Sequence, residues 1–319
     1  MILEIKDLCV EYKNKDSSIL AVDHACVTVE KGSSVGIVGE SGSGKTTLAN
    51  AVLRLLPKNS AKVTGEVCFQ GQNILELSDK EFNQLRWKDI SVVFQKSMNA
   101  LSPIHRIGEQ IEDIYQVHEP NAARAEIRSR AIELFHLTNL NERIYDLYPH
   151  ELSGGMLQRV AIAISLLHHP ALIVLDEATT ALDVVTQSQI LSEIKKLEKQ
   201  IEMTRIMITH DMSVVATVCD RVVVMYAGRV MEMGSVREVI PQPRHPYTKG
   251  LIQSYPMLRA PKEDLKVIPG VMPSLSQRVE GCIFAPRCSK ATEKCRCQRP
   301  RDTEVLPGHM VACHYPEEY

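Results

Sequence analysis

The segment GESGSGKT, Gly39 to Thr46, constrains this chain more than any other. It follows the apolar run VGIV. It precedes Leu48, Val52, Leu55 and Leu56, which recur at helical spacing until Pro57. The segment fits G-x-x-x-x-G-K-[ST], and each fixed position has a physical reason. The glycines let main-chain N–H groups curl around an anion without Cβ clashes, and the following helix directs its positive end at the same point. Strand, glycine-rich loop and helix together predict a phosphate-binding turn at the edge of a sheet. Gly39, Ser41, Gly42, Ser43, Gly44, Lys45, Thr46 and Thr47 form its cradle. Lys45 would neutralise the β and γ phosphates of a nucleotide, and the Thr46 hydroxyl would ligate Mg²⁺.

The runs ISVVFQ (90–95), ALIVLD (171–176), RIMITH (205–210) and RVVVMY (221–226) are apolar almost throughout, as strands covered on both faces are. LEIKDLCVEY and AVDHACVTVEKG alternate instead, as half-exposed antiparallel strands do. With helical stretches between them, these runs predict an α/β chain: a phosphate-loop NTPase core of RecA-like type with an antiparallel β subdomain and an α-helical subdomain over about 96–168. Eleven of the 16 prolines lie between Pro241 and Pro316, and five of the nine cysteines between Cys282 and Cys313. These shifts divide the chain into a nucleotide-binding domain at 1–235 and a Pro/Cys-rich extension at 236–319.

Asp176 ends an apolar strand, which puts its carboxylate at the carboxyl edge of a parallel sheet, where it could hold Mg²⁺. Glu177 follows and could polarise an attacking water as general base. The plain alternative is that both cap the next element.

Bulk properties narrow the function. A net charge of −2 gives no basic field for nucleic acid or anionic lipid. No apolar run approaches the roughly 20 residues of a membrane-spanning helix. The N-terminal MILEIKDLCVEYKNK lacks the pattern of a signal peptide. A cytosolic chain is expected, in which thiols stay reduced and a disulfide knot is not.

LSGGM (152–156) narrows the reading further, because it resembles the signature, usually LSGGQ, of the ATP-binding-cassette (ABC) ATPases. Other residues match that family in order. Tyr12 sits where the family stacks an aromatic on adenine. Gln95 resembles the Q-loop glutamine, which contacts Mg²⁺ and the water. TALD (180–183) resembles the D-loop, with Asp183. His210 in ITHD resembles the switch histidine at the γ-phosphate. The resemblance implies that Glu177, His210 and Gln95 are catalytic, that Thr46, Gln95 and Asp176 serve Mg²⁺, and that Ser153, Gly154 and Gly155 bind ATP held by a partner subunit.

GIVGESGSGK, GEQI (108–111) and HPYTKGLIQS (245–254) resemble one branch, the ATPases of oligopeptide, dipeptide and nickel importers. Two departures stand out. DEATTALD has Ala178 where the family often has proline, and FQKSMNALSP, with Lys96, Ser97 and Asn99, replaces the more usual FQDPMTSLNP. The resemblance implies an ATPase that energises peptide import. It implies a paralogous ATPase partner in a heterodimer, two integral membrane permease subunits and an extracellular solute-binding protein, with this chain on the cytoplasmic face of the membrane. Import of nickel or a metal chelate by the same machinery is the alternative. A soluble ABC ATPase of DNA maintenance or regulation is a weaker one, disfavoured by the near-neutral charge and the single cassette.

The tail spacing, Cys282, Cys288, Cys295, Cys297 and then Cys313, matches no simple zinc or ferredoxin pattern. Spacing alone leaves a metal site and reduced structural thiols both open. GCIFAPRC and PGHMVAC resemble the tails of importer ATPases, some of which carry a four-iron cluster. The resemblance implies Cys282, Cys288, Cys295 and Cys313 as ligands of a [4Fe-4S] cluster, with Cys297 as the spare or as the alternative to Cys295.

Overall fold

The computed structural model of the chain describes residues 1–13, 18–94, 101–178, 184–254, 268–276 and 279–319. They fall into two units, Met1–Glu76 with Met207–Tyr319, and Leu77–Ile206.

The first unit opens with β1 (Leu3–Lys13), β2 (Ser18–Val29), β3 (Ser34–Val38), α1 (Lys45–Val52), β4 (Ala61–Phe69) and β5 (Gln72–Asn73). β1, β2, β4 and β5 make an antiparallel sheet in the order β2-β1-β4-β5. Alternating burial along β2 follows from its alternating sequence, with Val22, Ala25, Val27 and Val29 inside. β3 is buried at all five positions, as its unbroken apolar run requires.

α1 is shorter than the spacing of its leucines predicts. It stops at Val52 rather than running to Pro57. Arg54 takes a left-handed φ of 51°, and the Leu55 amide donates to the Asn50 carbonyl at 2.8 Å. This is a Schellman-type stop, so backbone geometry ends the helix before the proline can.

The second unit contains α2 (Asp79–Leu85), β6 (Ile90–Val93), α3 (Ile107–Gln116), α4 (Arg124–Leu137), α5 (Gly154–Ser165), β7 (Leu172–Asp176) and α6 (Val184–Ile201). β6 and β7 pair in parallel, Ile90 opposite Leu172 through Val93 opposite Leu175. Ile107, Ile111, Ile127, Ala131, Leu134 and Phe135 are buried on α3 and α4. Gly108 of the GEQI motif lies against Tyr145, where an added Cβ would stand 2.2 Å from the ring. The Tyr145 hydroxyl donates to Glu112 at 3.0 Å. That motif is therefore explained by packing.

β8 (Thr204–Ile208) returns the chain to the first unit, which continues with α7 (Met212–Val218), β9 (Arg221–Tyr226), β10 (Arg229–Ser235), α8 (Val236–Val239), α9 (Pro246–Gln253), α10 (Glu293–Cys297), β11 (Thr303–Leu306) and β12 (His309–Val311). β3 and β9 pair in parallel, β9 and β10 antiparallel, and β12 pairs with both β10 and β11. The Pro/Cys-rich extension thus adds two short strands to the sheet that carries β3. Glu232 fastens it there. Its buried carboxylate accepts from the amides of Arg244 (2.7 Å) and His245 (2.9 Å), and His309 Nε2 lies 2.8 Å away.

Candidate functional site

β3 and α1 are joined by the glycine-rich loop. Gly44 is the N-cap of α1 and takes φ 98°, and Gly39 takes φ 151°. A Cβ at Gly39 would stand 2.1 Å from the Met225 carbonyl oxygen, and one at Gly44 would stand 2.3 Å from that of Ala21. Only glycine fits at either end of the loop, which is why the motif fixes them. Ser41, Gly42 and Thr46 are exposed, Thr47 is half-buried, and Ser43 and Lys45 are buried beneath. Lys45 is 5% exposed, with Nζ donating to the carbonyls of Gly39 and Glu40, both at 2.8 Å, and to Ser43 Oγ at 3.3 Å. The loop is folded around its lysine, leaving a rim of main chain with Thr46 exposed beside it. Such a rim suits a phosphate chain and its Mg²⁺.

Tyr12 is half-buried near the end of β1, opposite Ile19 and Ala61. His210 follows β8 and is exposed, and the adjacent Thr209 amide donates to the Ile37 carbonyl of β3 at 3.2 Å. Asp211 caps α7 by accepting from the Ser213 amide at 2.8 Å.

In the second unit, Asp176 is the last residue of β7 and is buried. Glu177 is half-buried and takes a left-handed φ of 47°, which turns the chain sharply as the strand ends. A non-glycine residue held there is strained, and such strain gathers at working sites. Ala178 in the next position leaves out the proline ring that would restrict this turn further. Ser153 is the N-cap of α5, its Oγ accepting from the Met156 amide at 3.3 Å. Ser153 and Gly154 are exposed, and a Cβ on Gly155 would stand 2.9 Å from Thr186 Cγ2. The signature thus presents a helix N-terminus to solvent, a geometry suited to an anion arriving from outside. Gln95, Thr180 and Asp183 lie outside the described residues, as do Lys96, Ser97 and Asn99.

Cys282, Cys288, Cys295 and Cys313 all line one cavity, together with His245, Phe284 and Tyr315. Burial pushes the thiols of Cys282 and Cys288 up and that of Cys313 to about 11, with the neighbouring sulfurs adding to the effect. Cys297 is exposed, and its Sγ lies 3.2 Å from Glu293 Oε1. Among the described residues, the only set of three metal-ligating atoms all within 4.8 Å of one another is Cys9, Asp23 and His24. There Asp23 is already paired with Arg229 at 2.5 Å and Arg299 at 3.3 Å. No three of the tail sulfurs therefore all lie within 4.8 Å of one another.

Comparison with known proteins decides the family. Residues 22–180 match the ABC transporter model, and residues 231–295 the C-terminal region of oligopeptide/dipeptide transporters. The chain is 44% identical over 317 residues to a probable peptide ABC transporter ATP-binding protein of Sinorhizobium fredii, covering 98% of this chain and 94% of that one. The chain belongs to the ABC transporter ATPases.

Within that family, it is 42% identical over 319 residues to the oligopeptide transport ATP-binding protein OppD of Escherichia coli, covering 99% and 94% of the two chains. To the dipeptide transport protein DppD of the same organism it is 37% identical over 317 residues, covering 99% and 97%. An ATP-binding cassette solved as a dimer in a post-hydrolysis state, with ADP and Pi bound, matches with a TM-score of 0.66 at 32% identity. That match covers 74% of this ABC ATPase and 99% of the other chain. Membership brings ATP and Mg²⁺ as the ligands of the site, and membrane permeases with a second ATPase as its partners. Among the described residues, no helix is long and apolar enough to cross a membrane.

Proposed function

We propose that this ABC ATPase hydrolyses ATP to drive import of di- or oligopeptides across the cytoplasmic membrane. The observation that carries this reading is its near full-length relation to peptide-transport ATP-binding proteins, including the tail region typical of oligopeptide/dipeptide transporters. Residues 1–235 carry the nucleotide chemistry and 236–319 the importer-type extension. The chain works on the cytoplasmic face, paired with a paralogous ATPase and docked on two permease subunits. An extracellular binding protein delivers the peptide.

In this reading the loop at 39–46 holds the phosphates, with Lys45 on the β and γ groups and Thr46, Gln95 and Asp176 serving Mg²⁺. Tyr12 stacks on the adenine. Glu177 takes the proton of the attacking water, and His210 steadies the γ-phosphate. Ser153, Gly154, Gly155 and Asp183 act across the dimer seam on the partner's nucleotide. Phosphoryl transfer needs mainly positioning and charge stabilisation, which such a set supplies.

Cys282, Cys288, Cys295 and Cys313 would hold a [4Fe-4S] cluster. Four thiolates suit iron–sulfur ligation, and all four line one cavity. Bound there, it would staple a proline-rich tail that has little core of its own.

Purification of the tagged chain from detergent-solubilised membranes tests the assembly. Co-isolation of a second cassette and two integral membrane proteins is expected. Recovery of the chain alone, from membranes in which those proteins are present, counts against it.

A further inference from the structure

A side-chain ion pair joins the phosphate loop to the distal extension. Arg287, in the APRC turn of the tail, places Nη1 at 3.0 and 3.1 Å from the two carboxylate oxygens of Glu40. Glu40 follows Gly39 and belongs to the loop itself. The guanidinium is held from its other sides: Nε donates to the Pro269 carbonyl at 2.8 Å, and Nη1 also lies 3.3 Å from the Tyr226 hydroxyl. The Arg287 side chain is only 6% exposed, whereas that of Glu40 is 30% exposed. A rigid, buried fork thus holds a more accessible carboxylate.

The same loop residue is held again through its main chain. The Glu40 amide donates to the Tyr247 hydroxyl at 3.1 Å, and Tyr247 is fully buried. Tyr247, Tyr226 and Phe284 pack with ring centroids 4.7 to 5.3 Å apart. Two segments of the extension, α9 and the APRC turn, therefore converge on one residue of the phosphate loop. Glu40 needs this. An unneutralised carboxylate on a loop built to receive a triphosphate would repel it.

We propose that Arg287 is a positioning residue of the ATP site, which neutralises Glu40 and fixes its carboxylate so that the loop accepts a triphosphate. The inference rests on the phosphate-loop reading of residues 39–46. It gives the extension a part in nucleotide binding, beyond its place in the sheet.

The test is equilibrium binding of a fluorescent ATP analogue with Mg²⁺ to the full chain, with thermal unfolding of each variant followed in parallel. Arg287→Met is expected to raise Kd about tenfold or more, the scale of one lost charge-assisted hydrogen bond. Adding Glu40→Gln should bring Kd back to within about threefold of wild type, since the repelling charge is then gone. Arg287→Lys covers the case in which the methionine variant does not fold. A single ammonium cannot serve Glu40 and the Pro269 carbonyl at once, so a smaller loss is expected, again relieved by Glu40→Gln. A general packing role would give a loss that Glu40→Gln does not relieve, and that result would overturn the inference. So would wild-type affinity in a folded Arg287→Met chain. Lys45→Met is the control: if it abolishes binding while Arg287→Met does not, the phosphate loop stands and the role of Arg287 falls. If both bind normally, both fall.

Discussion

His309 Nε2 lies 2.8 Å from Glu232 Oε1, with both side chains shut off from solvent. The pair ties β12, near the end of the chain, to β10. The Glu232 carboxylate also caps the amides of Arg244 and His245. Removing one member of such a buried set leaves the others without a partner. Glu232→Leu is predicted to cost about 3 kcal/mol or more in urea unfolding. A loss below about 1 kcal/mol would mean that the extension is held by other contacts.

His245 gives the fold a dependence on pH. Its Nδ1 accepts from the Tyr247 amide at 3.0 Å and caps α9, so the folded chain needs that nitrogen unprotonated. Burial holds its pKa down at about 4, below the ordinary 6.5, with Glu232 only partly opposing the shift. The unfolded chain therefore binds the extra proton first. This contribution is fully present above about pH 6.5 and is lost as pH falls from there toward 4. His245→Asn keeps a capping acceptor but does not titrate. The thermal midpoint of the wild type should fall more steeply over this window than that of the variant, and parallel curves would contradict the assignment.

Glu177 stands in a left-handed turn immediately after the buried Asp176. In the proposed role of general base it would be needed for hydrolysis and not for binding. Glu177→Gln, assembled with its partner, should retain nucleotide affinity and lose turnover by roughly 10²–10⁴-fold, measured as phosphate release. Wild-type turnover would remove Glu177 from that role.

Ser153 and Gly154 are exposed at the head of α5. If they serve the partner's ATP, Ser153→Arg should leave nucleotide binding by the isolated chain within about twofold, yet abolish hydrolysis in the assembled pair. Loss of binding in the isolated chain would show that Ser153 acts on its own chain's nucleotide or on folding.

The residues whose chemistry is local were legible from sequence. Gly39, Gly44 and Lys45 sit within a few residues of one another, and the steric demands at Gly39 and Gly44 follow from the motif itself. β3 and β7 could be read because strands buried on both faces are apolar throughout. β11 and β12 could not, because four and three residues carry too little pattern. The stop of α1 depended on a left-handed Arg54 rather than on Pro57, and arginine gives no warning of that conformation. The spacing of the tail cysteines left their grouping open, and the fold gathers four of the five around one cavity. Arg287 was invisible because Glu40, its partner, lies 247 residues away. His245 stands in HPYTKGLIQS, and nothing in that string signals a fully buried helix cap.

The central claim is that ATP hydrolysis at this phosphate loop drives peptide import. It is tested most directly with the complete transporter in sealed liposomes, its cassettes outside, by following labelled peptide presented from within by its binding protein. Addition of Mg²⁺-ATP should move peptide from the lumen to the outer medium in step with phosphate release, and Lys45→Met should abolish both. Peptide that stays in the lumen while ATP is consumed at the wild-type rate would contradict the account.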